Sequence, residues 1–124
     1  MDIILLNTSD LPIYQQIKDQ IIEQIMKGEL TEGEQLPSIR SLAKELKISV
    51  ITTKRAYEEL EKEGYIDSVV GKGSFVSYRS KDLLKEKQLE MMEVKLRGIV
   101  NDSKKYDISL NQLMEIVERL YKEE

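Results

Sequence analysis

The stretch Leu36 to Val76, LPSIRSLAKELKISVITTKRAYEELEKEGYIDSVVGKGSFV, decides the fold. Ser38 is placed to cap a helix whose apolar residues Ile39, Leu42, Ala43 and Leu46 share one face at spacings of three and four. Lys47, Ile48 and Ser49 leave room only for a tight turn. Ser49 is a second capping residue, and it opens a helix with Ala56, Tyr57 and Leu60 on one stripe. Two helices joined this closely predict a helix-turn-helix, whose second helix lies in the DNA major groove. Tyr65-Ile66 begin an extended segment, and Gly71-Lys72-Gly73 turn it back into Ser74-Phe75-Val76, which adds a wing. The predicted class is mainly α with a small β-wing.

Working outward, Pro12 suits the start of a helix, with Asp10 near enough to help cap it. Ile13, Ile17, Ile21 and Ile25 give that helix a strong apolar face, ending near Gly28, on which the two short helices can pack. Before it, Ile3 to Leu6 form an arm that reads equally as a small strand or a hydrophobic peg. After the wing, helix formers dominate from Lys81 to Asn101, with Leu89, Met92, Leu96 and Ile99 at the spacing of a helix–helix seam. A polar break follows from Asn101 to Asp107. Ser109 and Gln112 then form a capping box for a last helix with Leu110, Leu113, Met114, Val117, Leu120 and Tyr121 on one face. Two such helices hold too little core to stand alone, so they must pack on the first domain, on a second copy, or on both. The predicted division is a winged helix-turn-helix over 1–78 and a two-helix dimerisation segment over 79–124.

Composition narrows the chemistry. The chain has 124 residues, no Cys and no His, which removes thiolate metal sites, makes zinc binding very unfavourable and takes away the commonest general base. The glutamates between Glu58 and Glu63 lie around a helix surface without a convergent partner, and Gly71-Lys72-Gly73-Ser74 lacks P-loop spacing. The chain does not read as an enzyme, and nothing in it calls for a cofactor. No apolar run reaches the length of a membrane span and no signal-peptide pattern is present, so the expected compartment is the cytoplasm.

The net charge of −4 conceals a local reversal. From Ser38 to Arg55 stand Arg40, Lys44, Lys47, Lys54 and Arg55 against Glu45 alone, a net +4. A local basic face is what phosphate binding requires, although a solvated surface shows the same pattern. Arg40 is placed to meet a phosphate or base edge, or else to pair with an acid such as Glu34. Ser49, Val50, Ile51, Thr52, Lys54 and Arg55 form the opening turns of the reading helix. Lys54 suits guanine or phosphate, Thr52 suits a phosphate, and Val50 and Ile51 suit either thymine methyls or the local core. Thr53 is expected to face inward. Lys72 is a wing-tip contact or a solubilising charge.

These residues resemble the GntR family of bacterial transcription regulators, in particular its short YtrA-like subgroup. The resemblance runs from Pro12-Ile13-Tyr14-Gln15-Gln16-Ile17 through Leu36-Pro37-Ser38-Ile39-Arg40-Ser41-Leu42-Ala43. It continues at Thr52, Ala56-Tyr57-Glu58-Glu59-Leu60-Glu61 and Glu63-Gly64-Tyr65-Ile66, to Gly71-Lys72-Gly73-Ser74-Phe75-Val76. It implies a homodimer on a near-palindromic operator, usually a repressor, often of a neighbouring transporter operon and of its own gene. DNA contacts carry over to Arg40, Thr52, Lys54 and Lys72. Val50 stands where many relatives carry arginine, and Val70 where many carry a basic residue or His. The residues identify no effector. The competing reading is a winged helix whose basic face meets an acidic protein instead of duplex DNA.

Overall fold

A computed structural model describes residues 1–123. Five helices and one hairpin follow in order: α1 (Ile13–Met26), α2 (Ile39–Leu46), α3 (Val50–Lys62), β1 (Ile66–Val69), β2 (Gly73–Val76), α4 (Ser80–Lys105) and α5 (Leu110–Lys122). The chain divides into two compact units, Met1–Lys85 and Glu86 onward. The first turn of α4 belongs to the first unit, where Leu84 joins the core, so this division falls later than residue 78.

The first unit is built on α1. Ile17, Ile21 and Ile25 recur every fourth residue, so they stack on one face, and all three are fully buried. That face receives Ala56, Tyr57 and Leu60 of α3, with Leu42 of α2 and Ile66 and Val76 of the wing completing the cluster. Tyr57 sends its hydroxyl to Pro37 O at 2.8 Å, which satisfies the one polar atom its burial would strand. Burial also pushes the Tyr57 phenol well above its usual titration range. On the flank of α1, Lys18 bridges to Glu63 and, at 3.6 Å, to Glu59 of α3. Burial alone lowers the Lys18 pKa, but the two carboxylates outweigh it and leave it raised.

Helix ends follow the predicted caps with one correction. Ser38 Oγ accepts from Ser41 N at 3.1 Å and Ser49 Oγ from Thr52 N at 3.0 Å. Asp10, by contrast, does not cap α1: Pro12 holds the N-cap position, and no side chain hydrogen-bonds the first turn there. Pro12 opens the helix through its carbonyl, which accepts from Gln15 N and Gln16 N, both at 3.1 Å.

The wing pairs Ile66 with Val76 and Val69 with Gly73 in antiparallel register. Gly73, at φ +112°, closes the tip in a conformation that a side chain would strain. The connector before α2 acts as a third strand-like rung. Gly33 N donates to Val76 O at 2.7 Å, Val76 N to Glu34 O at 2.8 Å and Leu36 N to Ser74 O at 2.8 Å.

The arm is a peg and not a paired strand. Met1, Ile3 and Leu5 pack against the core. Gln16, Gln20 and Gln24, one helical turn apart on α1, hydrogen-bond the backbone of Leu6, Ile4 and Asp2. One turn of helix rises about 5.4 Å and two extended residues about 6.6 Å, close enough for flexible amides to bridge the difference.

In the second unit the expected break at Asn101 is absent, because α4 runs on to Lys105. Nothing between Asn101 and Lys105 is a helix breaker, and polarity alone does not end a helix. The stop comes at Asp107, at φ +55°, with Ile108 N donating back to Ser103 O at 2.8 Å. Ser109 and Gln112 form the predicted capping box. The two helices do not pack along one another. Leu89, Met92, Leu96 and Ile99 are all exposed, and no residue of α5 is buried.

Candidate nucleic-acid interface

The candidate surface comprises the N-terminal turns of α2 and α3 and the tip of the wing. Lys47 takes a left-handed conformation, φ 57° and ψ 46°, which ends α2 and lets the chain enter α3 three residues later, at Val50. Ser49 then fixes the first turn of α3 twice: it accepts from Thr52 N and donates to Thr52 Oγ1 at 2.8 Å. Thr53 is fully buried, its hydroxyl bonded to Ser49 O at 3.1 Å, so it faces inward as expected. With that position committed to the core, Val50, Ile51, Lys54 and Arg55 are turned out. The packing alternative for Val50 and Ile51 therefore fails, since both are exposed.

The cations are held loosely or left free. Lys54 lies 3.7 Å from Glu58 in an exposed pair one turn apart, which contributes little and can open to another anion. Arg40 is exposed and has no ion pair among the described residues. Glu34, its proposed partner, accepts instead from Thr31 N and Thr31 Oγ1 at 3.1 and 3.2 Å. Lys72 is exposed at the tip, and its carbonyl accepts from Gln35 Nε2 at 2.9 Å. That bond ties the tip to the residues leading into α2. Gln35, Ser38, Ile39, Glu61 and Lys72 line one groove of about 550 Å³. Lys54 stands seven residues before Glu61, on the same stripe of α3, which directs it to the groove side.

Beside Lys54 on α3, the Arg55 guanidinium lies 3.8 Å from the centre of the Tyr14 ring. Stacking of this kind orients the fork while leaving its edge N–H groups able to meet an anion.

A family described as bacterial regulatory proteins, gntR family, matches residues 13–76. The chain is also 34% identical to the HTH-type transcriptional repressor YtrA of Bacillus subtilis, over 90% of this chain and 86% of that protein. The chain belongs to the GntR family. It is accordingly a winged helix-turn-helix regulator that binds DNA and not an enzyme. Among solved structures, YtrA from Sulfolobus acidocaldarius, a GntR-family transcription factor, is 35% identical, with a TM-score of 0.55 and 96% of both chains covered. The DNA-binding domain of AraR in complex with operator ORX1 is 26% identical, with a TM-score of 0.55 over 62% of this chain and 96% of that one. Among the described residues no helix is long and apolar enough to cross a membrane.

Two features of this GntR surface escaped the sequence reading. Tyr14 is adjacent in sequence to the isoleucine face of α1, and only the approach of α3 reveals its stack with Arg55. Gln35 lies outside every named helix and strand, yet its amide anchors the wing tip. Neither contact carries a short-range signal, because both join residues more than thirty positions apart.

Proposed function

We propose that this regulator is a homodimeric cytoplasmic repressor that binds a near-palindromic operator, with one winged helix per half-site. The first unit supplies the reading head, and the part of α4 beyond it, with α5, supplies the dimer contact. Arg40, Thr52, Lys54 and Lys72 are its DNA contacts, with Ser38, Ser49 and Arg55 beside them. The observation that carries the DNA-reading part is the first turn of α3. Its cap is internally satisfied, its inward position is filled by Thr53, and its exposed Val50 and Ile51 are followed by cations held only by the exposed Lys54–Glu58 pair and the Arg55–Tyr14 stack.

The dimer rests on apolar residues of α4 and α5 that are left exposed, Leu89, Met92, Leu96, Ile99, Val117 and Leu120, with the half-buried Leu113 beside them. Burying apolar area contributes roughly 25 cal/mol per Å², so a second copy is a strong way to remove it from water. A two-fold dimer also sets two reading helices about a turn of DNA, or a multiple, apart. By its family resemblance the regulated genes are a neighbouring transporter operon and its own gene.

The test is binding of the intact chain to the DNA upstream of its own gene across a salt series. Lys54→Ala with Lys72→Ala should weaken operator binding by about 1–3 kcal/mol per base-reading contact. Loss of a phosphate contact should lower the salt slope by roughly one unit. Unchanged affinity in the double variant would show that this surface is wrongly assigned and favour a protein partner.

A further inference from the structure

We infer that Val50 and Ile51 read the 5-methyl groups of thymine, so that the operator half-site carries A·T pairs beneath the tip of α3. This rests on the DNA-reading proposal above and adds to it the identity of the bases.

The first turn of α3 presents two β-branched apolar side chains side by side. Ile51 is 81% exposed and Val50 46%, although Thr53, Ala56, Tyr57 and Leu60 of the same helix are all buried. Their exposure is not slack at a frayed end, because Ser49 holds the turn through both the backbone and the hydroxyl of Thr52. Each apolar residue also has a cation one turn behind it on its own stripe, Lys54 behind Val50 and Arg55 behind Ile51.

Such a helix has a graded surface: apolar at the leading end, cationic behind. A recognition helix enters the major groove with its N-terminal residues nearest the bases. The leading pair therefore meets base edges, and the cations one turn back meet the phosphates that line the groove. Val50 and Ile51 have no hydrogen-bonding side chain, so they cannot answer the donors and acceptors of guanine, cytosine or adenine. The thymine methyl is the apolar feature the major groove offers. Placing a polar base edge against either residue instead would strip water from it without replacing its hydrogen bonds.

The experiment uses the unmodified protein. The duplex bound most tightly by the intact chain is selected from a random-sequence pool. It is then resynthesised with each thymine replaced singly by uracil, which removes only the methyl group. The expected result is a loss of about fourfold at one or two positions in each half-site, the worth of one methyl group taken out of apolar contact. The same substitutions should have no effect when measured with Val50→Ala or Ile51→Ala, whichever residue touches that methyl. Equal binding of every uracil duplex, or a selected half-site without thymine, overturns the inference while leaving the DNA-reading proposal intact. A uracil effect that persists unchanged in both variants assigns it to duplex shape and also overturns the inference. Failure to select any sequence over the pool overturns the DNA-reading proposal itself.

Discussion

The two units of this chain spend their apolar residues in opposite ways. In the first, the isoleucines of α1, the inner face of α3 and the paired wing strands are buried together, and the arm is strapped down by three glutamines. In the second, two well-formed helices leave nearly every large apolar side chain exposed. Capping cannot explain the difference, since Ser109 caps α5 at least as well as Ser49 caps α3. Local signals make helices in both places, whereas only the first unit brings helices together into a core. A helix of this length draws most of its stability from such packing. The first unit should therefore fold alone, and the second should need a partner.

The largest expected effect tests that contrast directly. Leu96→Asp with Val117→Asp puts charge into the exposed stripes without touching the first unit's core. The variant should be monomeric by mass in solution and should bind a palindromic operator about 10²–10⁴-fold more weakly, because the second head loses its tether. A monomeric wild-type chain that still binds such an operator tightly would break the comparison. A chain ending at Lys85 should remain folded, whereas one ending at Tyr78 loses the buried Leu84 and should be less stable in urea.

The next effect lies in the first unit. Ile21→Ala should cost about 2–5 kcal/mol of unfolding free energy, since the cavity it leaves is closed on all sides by packed neighbours. Ile99→Ala should cost the folded monomer almost nothing and should act only through association. Chemical denaturation at two protein concentrations separates these: the Ile21 deficit is independent of concentration, and the Ile99 deficit is not.

Smaller still is the same substitution made at two caps. Ser49→Ala removes a bond to Thr52 N at 3.0 Å, and Ser109→Ala one to Gln112 N at 3.1 Å. Each should cost about 0.5–2 kcal/mol. The Ser49 loss should appear as a lower midpoint for the whole first unit. The Ser109 loss should appear as reduced helicity of the second unit at low protein concentration, read by circular dichroism. Equal effects of both on one cooperative transition would mean that the units unfold together.

Much of this architecture was legible in residue pattern. The serine caps, the spacing of apolar residues in α1 to α3 and the glycine-flanked tip each have a local cause, and local causes are written in short windows. What was not legible depends on residues brought together from a distance. The stretch Gly33 to Leu36 has no strand character, and it is drawn into pairing by the wing it borders. Gln16, Gln20 and Gln24 look like an ordinary polar stripe until an extended arm lies across them. At the candidate site, pattern located the first turn of α3 but left Val50 and Ile51 undecided between core and surface. The inward turn of Thr53 decides that in the fold. The length of α4 is illegible for a different reason: within the polar segment Asn101 to Asp107 the helix runs on to Lys105, and the stop comes only at the left-handed Asp107.

The smallest effect concerns charge at high pH, and it again separates the units. Lys18 bridges α1 to Glu59 of α3 and to Glu63 at its C-terminal end, so its charge is coupled to the packing of the two helices, whereas Arg97 with Glu93 and Lys122 with Glu118 are exposed pairs within single helices. The Lys18 pKa is raised in the fold, so the folded chain holds that proton more tightly than the unfolded one. Its contribution is fully present below the unfolded value near 10.5 and is lost as pH rises through the folded value. Tyr57 acts in the same direction for a different reason. Its phenol is held neutral by burial, and above the ordinary value of 10.0 the unfolded chain gains by ionising while the folded chain cannot. Stability of the first unit should therefore be level from neutral pH to about 10 and fall beyond it. Lys18→Met should remove the ammonium's share of that fall and Tyr57→Phe the phenol's, each reducing the slope by up to one proton. Lys122→Met should leave it unchanged. Urea midpoints measured between pH 8 and 11 decide this, and a slope identical in all four proteins would show that neither group is coupled to folding.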